Sequence, residues 1–159
     1  MESKKQLMLM GSVALLAVLF FVGFRLFQRD EKTVIKSIIY KGVVAVEHTD
    51  VARCGLLLSE DYADEYGNAK ADVLRFLKSL FEEYPSVRVQ IKGLLIKTED
   101  ATAEVDLGVA TYFKKPNDNQ LYGDTAKVKL MMRKQGQNWK IHKAIYVTSN
   151  QLLFVQGVA

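Results

Sequence analysis

The sequence predicts an α+β domain behind an N-terminal transmembrane helix. Three observations carry that prediction. Residues 7–24 are apolar apart from Ser12. Between Asp30 and Pro85 apolar residues recur at helical spacing. After Pro85 the period drops to two, as in strands with one buried face.

The apolar run "LMLMGSVALLAVLFFVGF" spans about 27 Å as a helix, close to the hydrocarbon thickness of a bilayer. Leu26 and Phe27 extend it, because Arg25 can snorkel to the interface. A cleaved signal peptide would be followed by small residues, whereas "FRLFQRDEK" is bulky and charged, so the span is expected to remain as an anchor. The expected organisation is an anchor over residues 1–28, a domain over 29–148 and a tail over 149–159, with residues 7–27 in contact with lipid. Flanking charge gives two answers on orientation. The basic residues after the span, Arg25, Arg29, Lys32 and Lys36, outnumber Lys4 and Lys5 before it, which favours a cytoplasmic domain. A short Lys-Lys tail before a long span looks like a bacterial signal anchor, which places the domain outside. The extracytoplasmic placement is the expectation carried forward.

Of the net charge of +4, residues 1–29 hold +3. Basicity therefore belongs to the membrane flanks and argues against a nucleic-acid partner. With Cys54 as the single cysteine no intrachain disulfide can form, and His48 and His142 lie too far apart to suggest a metal site.

"DEKTVIKSIIYKGVVAVEH" carries an amphipathic stripe through Ile35, Ile39 and Val46. Thr49 or Asp50 can cap a short second helix reaching Leu58. Asn68 or Gly67 opens a third, with Val73, Phe76, Leu77, Leu80, Phe81 and Tyr84 on one side, and Pro85 ends it. Alternation then predicts four antiparallel strands: Val87 to Ile96 with a bulge at Gly93, Ala101 to Phe113, Ala126 to Met132, and Trp139 to Val147. "KKPNDNQLYGD" and "KQGQN" read as turns between them.

Four carboxylates, Glu60, Asp61, Asp64 and Glu65, crowd the junction before the third helix. Paired carboxylates serve acid–base chemistry when burial separates their pKa values. Here Ser59, Gly67 and Asn68 surround them, so a solvated, helix-capping turn is the favoured reading, with Tyr62 and Tyr66 packed and Asp61 and Asp64 outward. His48 and Asp50 stand two apart and do not share a helix face. Strand parity puts Lys143 on the apolar face with Trp139, Ile141 and Ile145, where a lysine needs a partner, a pocket mouth or a bulge. Cys54 is expected to be a buried, inert thiol. Residues 110–159 hold eight basic and two acidic side chains, and Lys127, Lys129, Arg133 and Lys140 fall on the outer sheet face. Cross-strand pairing with Glu104 and Asp106 is their simplest use; an acidic protein or lipid headgroups are the functional alternative. Phe154 belongs to an apolar tail that packs on its own domain or on a partner.

The order of elements resembles the nuclear transport factor 2-like superfamily, also called SnoaL-like or ketosteroid-isomerase-like. The likeness rests on "DVARCGLLLSEDYADEYGN", the "VRVQIKGLLIKTEDATAEVDLGV" hairpin and "GQNWKIHKAIYV", and covers residues 30–148. It implies a cone-like, cystatin-like roll in which a curved antiparallel sheet wraps on helices around an apolar pocket. Tyr40, His48, Tyr62, Trp139 and Lys143 are the candidates to line that pocket. The superfamily includes isomerases, cyclases, dehydratases and non-catalytic assembly modules, so fold does not decide function. The reading taken from sequence is a membrane-tethered, non-catalytic binding or assembly module, an accessory subunit or a homodimer, with Lys127, Lys129, Arg133, Lys140 and Phe154 as partner-surface candidates. The alternative is an isomerase- or lyase-type enzyme acting on a small molecule in the pocket. No catalytic residue, metal or cofactor is assigned.

Overall fold

A computed structural model describes residues 30–155. The anchor expected over residues 1–28 lies outside them. No helix among the described residues is long and apolar enough to cross a membrane.

Helix α1 spans Glu31–Glu47 and is capped by Asp30, which accepts from the Lys32 amide at 3.2 Å and the Thr33 hydroxyl at 2.9 Å. Helix α2 is Val51–Leu57, capped by Asp50 through the Arg53 amide at 2.9 Å. Thr49 lies between them at φ 53, a conformation that β-branched residues rarely adopt and that a sharp helix–helix corner requires here. Helix α3 is Lys70–Glu83. Asn68, expected to cap it, points back to Asp64, and Asp72 instead accepts from the Ala69 amide at 3.0 Å. Phe81 faces the core, but Phe76 is exposed rather than sharing the packed side.

Five strands follow in space, not the four expected. Strands β2 (Ser86–Glu99), β3 (Thr102–Lys114), β4 (Leu121–Gln135) and β5 (Asn138–Val155) pair antiparallel. The addition is β1, Leu58–Asp64, which lies parallel to β5 and gives the sheet order β1-β5-β4-β3-β2. The acidic junction is therefore an edge strand running into a turn, and the sheet is mixed. Residues 149–155 of the expected tail continue β5.

Register shifts bend the sheet. One falls between Ile91 and Gly93, as the change of apolar phase predicted. Three more lie where β5 pairs β4, and in one of them Met131 opposes Lys143 while Met132 opposes Ile141, leaving His142 as the extra residue. The core sits where α1 meets the curved sheet: Ile35 and Ile39 pack with Tyr62, Val105, Met132, Trp139 and Ile141. Trp139 is pinned there by its Nε1, which donates to Glu31 at 2.6 Å. Lys134 donates to the other oxygen of the same carboxylate at 2.5 Å. The Lys134 and Trp139 hydrogen bonds hold the Glu31 carboxyl below its ordinary range.

Candidate functional site

The helices do not close fully on the sheet. A cavity of about 290 Å³ remains between α1, α2 and α3 on one side and the inner face of β1 to β5 on the other. Ile38, Val43 and Val46 of α1 face Val89, Leu107, Val109 and Leu130 of the sheet across it. The spacing of α1 explains this, because residues three and four apart share a helix face. Among the described residues that line it, only Thr111 and Cys54 carry a polar side-chain atom. Burial raises the Cys54 thiol pKa, with Asp50 adding to the effect, so the thiol stays protonated and weakly nucleophilic. Such a lining favours the body of an apolar molecule and supplies no acid–base pair.

None of the five pocket candidates lines this cavity. Tyr40 lies on the outer flank of α1, 47% exposed, in a separate groove with Val44, Arg53 and Leu56. His48 is the C-cap of α1, with Nδ1 2.8 Å from the Val44 carbonyl, which is the helix-end role expected of it. Tyr62 is buried on β1, and burial pushes its phenol pKa up, helped by Tyr146 and Asp64 nearby. Trp139 is a core residue that also borders a second groove with Asp30 and Val34. Lys143 is exposed, not inward: the extra residue at His142 reverses strand parity, so Ala144 takes the buried position.

The carboxylate cluster is a set of structural contacts. Glu60 pairs with Lys70 at 2.6 Å and Asp61 with Arg133 at 2.5 Å. Glu65 accepts from the Tyr146 amide at 2.7 Å. Asp64 is buried, contrary to the outward placement expected, and accepts from the Tyr66 amide at 2.9 Å and from the Asn68 amide and side chain at 2.8 Å each. Tyr66, expected to be packed, is exposed and stacks on Tyr146 at 5.9 Å.

The outer sheet face is largely self-paired. Lys129 bonds to Glu104 and lies 3.7 Å from Asp106, as the cross-strand reading expected. Arg133 is taken by Asp61, and Lys140 donates to the Leu56 carbonyl. Lys127 is exposed beside a shallow groove with Lys92, Gly93 and Val147. Phe154 pairs in register with Tyr122 near the end of β5.

Sequence reasoning passed over one group. Asp124 fell within a stretch taken as a turn, but β4 begins at Leu121, so Asp124 is strand and pairs with Thr111. The alternation Asp124, Ala126, Val128, Leu130 runs in phase with the inner face and was the available signal.

No family model matches the sequence, and no curated protein matches it. Solved structures do resemble it. A Novosphingobium aromaticivorans protein described as a scytalone dehydratase superimposes with TM-score 0.71 at 11% identity, covering 81% of this chain and 90% of that one. The hexachlorocyclohexane dehydrochlorinase LinA-type3 from Novosphingobium barchaimii gives TM-score 0.67 at 12% identity, covering 80% and 92%. A protein with a cystatin-like fold from Caulobacter vibrioides gives 0.61 at 9%, covering 78% and 90%. At these identities the likeness is one of fold: the described domain shares the α+β, cystatin-like fold of these structures.

Proposed function

We propose that the domain takes up a small, mostly apolar molecule in the helix–sheet cavity. The observation that carries this reading is the cavity itself: a space of about 290 Å³ framed by aliphatic side chains from three helices and five strands. These aliphatic side chains face one another across a gap they do not fill, and an apolar occupant would supply the missing dispersion contacts and displace water from their surfaces.

A second reading adds chemistry to the first. The structures similar in fold include a dehydrochlorinase and a protein described as a dehydratase. They favour isomerase- or lyase-type conversion of the bound molecule over the membrane-tethered assembly module suggested by residues 7–27 and the outer face. The aliphatic lining limits what such chemistry can use: a proton acceptor has to come from the margin of the cavity.

Organic extracts of the purified full chain and of a Val109→Trp variant, in which the indole fills the cavity, test the proposal by mass spectrometry. A compound enriched with the wild type and missing from the variant is expected. Returning that compound to the protein separates the readings, since an isomerase or lyase alters it and a binding module returns it unchanged. Indistinguishable extracts from two folded proteins would sink the uptake reading.

A further inference from the structure

Asp124 is the one side chain with a carboxylate oxygen both buried and without a hydrogen-bond partner among the described residues. Native structures leave few such atoms, and each calls for an explanation. Its position supplies one. Val89 opposes Thr111 on β3, and Thr111 opposes Asp124 on β4. Directly opposed residues in an antiparallel pair share a face. Val89 and Thr111 both line the helix–sheet cavity, so Asp124 continues that inner row immediately beside it.

The next inner row is aromatic, with Phe113 opposite Tyr122. Tyr84 packs over both, at 5.6 Å from Phe113 and 5.8 Å from Tyr122. These rings already attract a cation: the Lys115 ammonium lies 5.1 Å from the Tyr84 centroid and 5.9 Å from that of Tyr122. That lysine is neutralised by Glu83 at 2.8 Å, so it leaves the Asp124 oxygen unmatched. Among the described residues, no lysine, arginine or histidine lines the cavity.

We propose that Asp124, with the Thr111 hydroxyl, forms the polar end of the cavity and binds the protonated amino group of a compact apolar amine. The apolar body would rest among Ile38, Val109 and Leu130, and the ammonium would donate to the buried oxygen. Charge-assisted hydrogen bonds of this kind are among the stronger polar contacts, and adjacent ring faces favour a cation over a neutral head. This rests on the uptake of an apolar molecule proposed above and specifies its chemistry.

Benzylamine and ethylbenzene, near-isosteres differing by the charged nitrogen, distinguish the two levels of the proposal. The methyl-labelled full chain in detergent micelles is titrated with each at pH 7, following the Ile38, Val109 and Leu130 methyl signals against free probe concentration. Benzylamine is expected to bind at least tenfold more tightly than ethylbenzene. Asp124→Leu is expected to abolish that preference while retaining ethylbenzene, and Asp124→Asn, which preserves shape, is expected to do the same should the leucine variant fail to fold. Equal affinities in the wild type, or a preference that persists in the variants, overturn the amine site and leave the apolar cavity standing. Absence of response to both probes overturns the cavity reading and the amine site together.

Discussion

Trp139→Ala is expected to remove about 3–5 kcal/mol of folding stability, the usual cost of truncating a buried tryptophan. The side chain is 2% exposed and packs in the cluster that joins α1 to the sheet. Its loss leaves a cavity where Ile35 and Met132 lie, both fully buried, and takes from Glu31 one of two hydrogen-bond donors. Trp139→Phe separates the contributions. It keeps most of the packing and gives up the bond to a charged acceptor, so a loss of about 1–2 kcal/mol is expected, toward the low end because Lys134 still serves Glu31. Urea unfolding at constant m-value reads both. An alanine variant within about 1 kcal/mol of the wild type would mean that Trp139 does not join helix and sheet as described.

The second large effect is at Asp64, and it depends on pH. The carboxyl is 7% exposed and covered chiefly by its own loop, which donates from the Tyr66 amide and from the amide and side chain of Asn68. Burial alone would raise its pKa. The hydrogen bonds from Asn68, Tyr66 and Gly67 outweigh that and hold it below the ordinary carboxylate range. A group whose folded pKa is depressed adds stability above its unfolded value, about 3.9 for aspartate, and loses it as pH falls through the folded value. Asp64→Ala is therefore expected to cost about 3 kcal/mol at pH 7, reflecting three lost bonds to a charge that do not add fully. The deficit should shrink on acidification below about pH 4. Unfolding midpoints of both proteins at pH 7 and pH 2.5 measure this. An equal deficit at the two pH values would show that loop packing, rather than the ionised carboxyl, carries the contribution.

The helices and the four long strands were legible because their burial is periodic. The stripe of α1, the stop at Pro85 and the alternation after it each follow from one element's own residues. What was not legible depends on partners. "LSEDYAD" becomes strand because β5 offers it a parallel edge, and its carboxylates find Lys70, Arg133 and a loop that no local pattern reveals. Lys143 turns outward because one extra residue at His142 is accommodated against β4, a choice made by the pair of strands. Asp124 joins the inner face because β4 starts at Leu121, inside what its Asn, Asp and Gly content marked as a turn. The cavity follows the same rule: each lining residue is an ordinary core position on its own element, and the gap exists only where three helices and a bent sheet meet.

Xenon binding tests the cavity most directly, since the gas settles in apolar cavities lined by aliphatic side chains. Crystals of the protein under xenon pressure should show a peak among Ile38, Val109 and Leu130. Closed packing at that position, with those side chains in contact and no xenon between them, would contradict it.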